Sequence, residues 1–208
     1  PGVHTITLTA TDDKKHAVTD SISITITDAN PPHLVWPEHV PSGVRQGQFV
    51  YDGDDGVGAF YTTDGAGGIG RVHGFDPLLN GLTAIVPGNF GGDDATDLLF
   101  YASQSGVGEF FASTGEGELQ LLSGSEGFTR GWDIIVPGDF GGDDWTDLFF
   151  YNADDGEGKF YTTNGAGTIR LLSTLRGLPT GWTSMVAGQF GGDGDTDLFF
   201  YDAATGLA

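Results

Sequence analysis

Four tyrosines, Tyr51, Tyr101, Tyr151 and Tyr201, stand 50 residues apart. Phe90, Phe140 and Phe190 keep the same interval, and each is followed by Gly-Gly-Asp. Val86, Val136 and Val186 stay in step with them, as do Asp97, Asp147 and Asp197, and Phe60, Phe110 and Phe160. A repeat of this period is the strongest constraint on the fold. Each unit is one supersecondary piece, and it hides its apolar face only against its neighbours.

The unit is read best from Gly131 to Ser173, GWDIIVPGDFGGDDWTDLFFYNADDGEGKFYTTNGAGTIRLLS. Four short runs rich in β-branched and aromatic residues lie between Gly and Asp clusters: WDIIVPG, TDLFFY, GKFYTT and TIRLLS. These are expected strands. ADDGEG carries the Asp-Gly chemistry of a tight hairpin, and NGAG offers an Asn-Gly pair suited to positive φ. Helix-period patterning is absent. The spacing predicts an all-β chain of four-stranded, β-propeller-type blades, with units at 36–81, 82–131 and 132–181 and a partial one at 182–208. The first copy is degenerate. Trp36, Val40 and Pro41 reproduce the spacing of Trp132, Val136 and Pro137, but four residues of the acidic loop are missing before Tyr51. Phe100, Phe150, Phe200, Phe110 and Phe160, with Leu98, Leu148 and Leu198, are expected to form the core between blades.

Residues 1–30 follow another pattern. His4, Ile6, Leu8 and Ala10 alternate with threonines, and Ile22, Ile24 and Ile26 alternate with Ser and Thr. That is a β-hairpin, too small to be stable alone in water, so something must cover its apolar face. Residues 31–35 read as a Pro-rich linker. The chain opens at Pro1 without a methionine, which reads as a processed or excised piece.

Two resemblances follow from these residues. PGVHTITLTATDD with TDSISITITD resembles the last strands of an immunoglobulin-like module of the PKD or cadherin-like type. The 50-residue units, through their GDF-x-GD-x-x-TDL core, resemble FG-GAP/VCBS repeats, over roughly residues 36–208. The second resemblance implies an integrin-type propeller and a non-enzymatic binding or scaffolding role at a bacterial cell surface or outside the cell. It also implies calcium, held by a D-x-D/N-x-D-G-x-x-D loop. Carried over residue by residue, the pattern places Asp139, Asp143 and Asp147 in the middle loop, Asn89, Asp93 and Asp97 in the one before it, and Asp193 and Asp197 after Gln189 in the one that follows. These sites are eroded: Gly141 supplies no side-chain oxygen at the third place, Asp144 stands where a glycine is usual, and the outer loops lack the first carboxylate. The competing reading is that Asp97, Asp147 and Asp197 bond backbone N–H groups and hold a turn.

Charge narrows the partners. Acidic residues number 29 against 8 basic ones, a formal charge of −21, which speaks against nucleic acid and anionic membranes. No run approaches the roughly 20 apolar residues that span a bilayer, and there is no cysteine. Sugar-stacking candidates are Trp132 and Trp182 at one repeat position, with Arg130 beside them, and Trp145 alone in its loop; for Trp132 and Trp182 the alternative is packing between blades. The five histidines, His4, His16, His33, His39 and His73, lie outside any metal-ligand spacing, and no nucleophile pattern is visible. Asp143 and Asp144 in a Gly-rich turn speak for structure rather than for a glycosidase pair.

Three and a half units are too few to close a ring alone, and the hairpin is half a domain. Two functions are therefore expected. One is an adhesion module binding glycan or protein through propeller loops. The other is a structural protomer of an extracellular fibre or stalk, completed by other copies of itself as a homo-oligomer or filament.

Overall fold

The computed structural model describes residues 2–11, 17–26, 47–52, 56–63, 68–75, 81–93, 95–114, 117–125, 128–143, 145–192 and 195–208. The expected linker, the degenerate copy around Trp36, Val40 and Pro41, and the residues His16, His33, His39, Asp144 and Asp193 lie outside them. Two compact units divide the chain, Pro1–Pro32 and His33–Ala208.

The first unit is an antiparallel pair, β1 (Gly2–Thr11) and β2 (Ala17–Ile26). Its register sets Ile6 opposite Ile22 and His4 opposite Ile24.

The second unit is a series of antiparallel sheets. A three-stranded sheet comes first: β3 (Gly47–Asp52), β4 (Val57–Thr63) and β5 (Ile69–Phe75). Two four-stranded sheets follow in simple meander order: β6 (Ala84–Gly88), β7 (Asp97–Ala102), β8 (Val107–Ser113) and β9 (Leu119–Ser125), then β10 (Ile134–Gly138), β11 (Asp147–Tyr151), β12 (Gly158–Thr163) and β13 (Ile169–Leu175). A two-stranded sheet ends the series, β14 (Ser184–Gly188) and β15 (Asp197–Tyr201). The four expected strands of each unit are all present in the second and third sheets. This is an all-β, blade-like propeller architecture; the described sheets form an open series, since no element of the first lies against one of the last.

Local chemistry repeats with the sequence. Gly56, Gly106, Gly156 and Gly206 close the turn after the second strand with positive φ between 67° and 74°. Each donates its N–H to the carbonyl four residues back, on Asp52, Ala102, Asn152 and Asp202. A β-bulge then recurs between Phe60 and Tyr61, Phe110 and Phe111, and Phe160 and Tyr161, leaving Val72, Leu122 and Leu172 as the extra residue of the fourth strand.

Core forms between sheets. Phe49 and Tyr51 of the first are covered by Leu82, Ile85, Leu98 and Phe100 of the second. Val86, Leu99 and Tyr101 of the second are covered by Trp132, Leu148 and Phe150 of the third, with Phe128 stacked on Phe150 at 5.4 Å between centroids. Val136, Phe149 and Tyr151 are covered by Met185, Trp182, Leu198 and Phe200. Phe100, Phe150, Phe110, Leu98 and Leu148 are buried as expected, and Phe160, Phe200 and Leu198 are half-buried against the same clusters. Two of the buried tyrosines also tie down the end of their own unit: Tyr101 donates its hydroxyl to the Thr129 carbonyl at 2.8 Å and Tyr151 to that of Pro179 at 2.7 Å.

Burial pushes the phenols of Tyr51, Tyr101, Tyr151 and Tyr161 above their ordinary value of 10.0. Their neutral form is favoured by folding, so the stability they confer is complete below pH 10 and is lost as the pH rises through the folded values. An ultraviolet titration of phenolate should show these four ionising above 10.0 and together with unfolding. The repeat supplies a second check. Phe90 is buried and Phe190 exposed at equivalent positions, so Phe90→Ala should cost about 3–5 kcal/mol in chemical denaturation and Phe190→Ala within about 0.5 kcal/mol.

Candidate functional site

The loop joining the first and second strands of each unit, such as Asp139–Thr146, carries the acidic residues singled out in the sequence. Its anchor is the repeated aspartate. Asp147 is buried. Its Oδ2 accepts the N–H groups of Phe140 at 3.1 Å and Gly141 at 2.5 Å, and its Oδ1 accepts that of Thr163, on the third strand, at 2.8 Å. Asp97 repeats this with Phe90, Gly91 and Ser113. Asp197 bonds Phe190 and Gly191 in the same way, in the two-stranded last sheet. The turn-holding reading therefore describes what these carboxylates do in the fold.

The glycines of Phe-Gly-Gly-Asp follow from the clamp. A Cβ on Gly141 would sit 2.8 Å from Asp147 Oδ2 and 2.9 Å from the Thr162 methyl, and one on Gly91 would meet Asp97 Oδ2 at 2.9 Å. A side chain there would push the carboxylate out of reach of the backbone it holds. Burial raises the carboxyls of Asp97 and Asp147 above the ordinary value of 3.8; three backbone N–H bonds pull each of them down, and the neighbouring Asp93 and Asp143 push them up further.

Three carboxylates meet in the middle loop. Asp139, Asp143 and Asp147 each offer an oxygen within 4.8 Å of the others. Oxygens on opposite sides of a calcium ion stand about 4.6–5.2 Å apart at ordinary calcium–oxygen distances, so the spacing fits a divalent cation. Asp139 Oδ1 also accepts the N–H of Gly142 at 2.7 Å, and Asp143 Oδ1 that of Trp145 at 3.2 Å. In the preceding loop Asn89 and Asp93 make the same turns, accepting from Gly92 and Ala95. An amide oxygen thus serves the turn as well as a carboxylate does, and the charge on Asp139 is not needed for it.

The aromatic candidates separate. Trp132 is 4% exposed, inside the cluster between the second and third sheets, with Phe150 at 5.6 Å and the Lys159 ammonium 5.0 Å over its ring. Its Nε1 is buried without a partner. A ring enclosed in this way offers no face to a sugar, which corrects the sugar-stacking expectation for Trp132 in favour of packing. Trp182 is half-buried against Phe200 at 5.6 Å. Trp145 is half-buried too. It lies over Gly165, where a Cβ would come within 3.1 Å of the ring, and its far edge approaches Gly92 of the preceding unit. Arg130 is exposed, and its Nε donates to the Ser105 carbonyl at 3.3 Å.

The sequence reading missed the bonds across the seam beside Trp145. Thr146 Oγ1 accepts the N–H of Asn89 at 2.8 Å, and Gly167 donates its N–H to the Phe90 carbonyl at 3.0 Å. The repetition of Thr96, Thr146 and Thr196 next to the clamp aspartate was the available signal.

No protein-family model matches the sequence, and no curated protein matches it. The fold is similar to the crystal structure of a protein from Lactobacillus plantarum, with a TM-score of 0.52 and 12% identity over 98% of this chain. The chain spans 62% of that protein's length. At this identity the likeness concerns the β-rich, propeller-like fold alone.

Asp147→Ala removes the acceptor of three N–H groups in a buried site, and should cost about 3 kcal/mol or more in denaturant unfolding. Asp197→Ala, in an exposed loop with two such bonds, should cost about 1 kcal/mol.

Proposed function

We propose that the chain is a non-enzymatic, extracellular adhesion module of FG-GAP/VCBS type that recognises glycan or protein through its propeller loops, with calcium in the Asp139–Asp147 loop. The observation that carries this reading is the convergence of Asp139, Asp143 and Asp147 within 4.8 Å, beside the half-buried ring of Trp145. Three like charges held this close repel, and a divalent cation relieves the repulsion while fixing the loop that presents Trp145. The hairpin of the first unit supports an immunoglobulin-like module ahead of the repeats by its alternation alone. A second reading, a structural protomer of an extracellular fibre or stalk, is favoured by the way successive like sheets pack face to face in series.

Calorimetric titration of the chain with calcium chloride should give saturable binding, abolished in Asp139→Asn/Asp143→Asn. That variant keeps an oxygen acceptor for each turn and should melt within a few degrees of the parent. A glycan array probed with and without chelator should show binding that Trp145→Ala removes. Calcium binding without any glycan or protein capture would leave the loop structural and sink the adhesion reading.

A further inference from the structure

Asn89, Asn152 and Asn164 each fold the side-chain carbonyl back onto the turn that follows. Asn89 Oδ1 accepts the N–H of Gly92 at 3.1 Å. Asn152 Oδ1 accepts those of Asp154 at 2.8 Å and Asp155 at 3.3 Å, and Asn164 Oδ1 those of Ala166 and Thr168, both at 3.1 Å. What differs is the residue next in the chain. Phe90 donates its N–H to Asp97 Oδ2 at 2.8 Å, and Ala153 donates to Asp133 Oδ2 at 2.7 Å. Gly165 donates its N–H to no acceptor among the described residues, and it has no side chain to shield it. Asn164 itself is exposed to solvent.

That arrangement suits an intramolecular acyl transfer. The Gly165 nitrogen, once deprotonated by hydroxide, bonds to Asn164 Cγ, the Cγ–Nδ2 bond breaks, and Nδ2 leaves as ammonia with the proton that balances it. The cyclic imide left behind is opened by water at either carbonyl, giving aspartate or isoaspartate. Negative charge grows on Asn164 Oδ1 as the nitrogen adds, and the N–H groups of Ala166 and Thr168 already point at that oxygen. Asn152 has the same two-donor support, but its attacking nitrogen would be that of Ala153, whose proton is held by a carboxylate. A hydrogen bond to the neutral form and a nearby negative charge both oppose deprotonation.

We propose that Asn164–Gly165 is a site of spontaneous deamidation in the folded protein, and that its isoaspartyl product loosens the seam between the second and third sheets. The turn is seated in that seam. A Cβ on Gly165 would come within 3.1 Å of the Trp145 ring, and one on Gly92 would lie 2.8 Å from the Gly165 carbonyl oxygen. Gly167 donates its N–H to the Phe90 carbonyl at 3.0 Å, and its own carbonyl accepts the Ser123 hydroxyl. Isoaspartate carries the main chain through the former side chain and so lengthens it by a methylene, in a turn with no slack between Trp145 and Gly92. Aspartate leaves the main chain as it was. The repeat already uses that residue: Asp64 stands at this position in the first unit and Thr114 in the second, and aspartate at 164 turns TTNGAG into the TTDGAG of the first.

The test incubates the 208-residue chain at mildly alkaline pH, with chelator present so that no bound cation enters the result, and follows it by peptide mass spectrometry. The Asn164 peptide should gain about 1 Da as NH₂ gives way to OH. It should do so about tenfold faster or more than the Asn89 and Asn152 peptides, because its groups are held ready to react. Isoaspartate at 164 is identified by electron-transfer fragmentation. The chain in denaturant is the reference: there Asn164 and Asn80, each followed by glycine, should react alike. An Asn164 that reacts in denaturant and stays intact in the folded chain overturns the proposal, as does an Asn152 that reacts as fast. The isoaspartyl fraction, separated by chromatography, should unfold at a lower denaturant midpoint than the fresh chain. Freshly prepared Asn164→Asp should keep the parent's midpoint, and Asn164→Thr should keep it through the incubation with no gain of mass. An isoaspartyl fraction that unfolds with the parent overturns the loosening of the seam, and so does a fresh Asn164→Asp that is equally weakened, which would assign the effect to charge.

Discussion

The buried carboxylate of the repeated aspartate is the interaction on which each complete sheet depends. Asp97 and Asp147 take up N–H groups from two separate pieces of chain, the Phe-Gly turn before the second strand and the end of the third. A carboxylate is suited to this because it accepts on every lone pair and donates on none. An asparagine would place its own N–H₂ against one of the backbone donors. Desolvating the charge is costly, and the three charge-assisted bonds offset that cost where the fold would otherwise leave buried donors unpaired. Clamp and core then reinforce each other. With the turn fixed, Phe90 is placed on the face of the second sheet that meets the third, and Leu98 and Phe100, next in sequence to Asp97, project onto the sheet before.

From that follows the polarity of the series. Alternation along Asp97–Tyr101 sends Leu98 and Phe100 to one side and Leu99 and Tyr101 to the other. Both sides are apolar, so a sheet of this kind is stable only with a neighbour on each face. The tyrosines hold the junction to the next unit: the hydroxyls of Tyr101 and Tyr151 reach carbonyls 28 residues further on, at the end of their own units, and that of Tyr101 also accepts the N–H of Trp132, where the next unit starts.

Much of this was legible in the sequence. The interval of 50 residues, the four strands per unit and the core positions Phe100, Phe150, Leu98 and Leu148 could be read directly, because period-two alternation and Gly-Asp punctuation are local signals. What could not be read was context. Phe90 and Phe190 are the same letter in the same motif, yet one is buried and the other open, and only the identity of the neighbouring sheet decides it. Trp132 and Trp145 were both candidates for stacking a ligand; burial between two sheets, a long-range property, removes the first. The clamp was legible as one of two alternatives, since aspartate serves turns and cations alike. Its use of a third-strand N–H, from Ser113 or Thr163, depends on a pairing that no local pattern encodes.

The two roles of aspartate can be separated by comparing loops within the one chain. Where Asn89 replaces Asp139, the turn persists, with the side-chain oxygen still accepting the glycine N–H two residues after the phenylalanine. The turn therefore does not account for the charge at 139. Asp147 is different, because its replacement would strand donors from two strands. A cation at the middle loop would thus share one carboxylate with the framework of the sheet and take two, Asp139 and Asp143, from the turn itself. Coupling in that arrangement would run both ways: a bound cation would stabilise the turn that Asp147 holds, and breaking the clamp would release the turn that brings the other two carboxylates within reach.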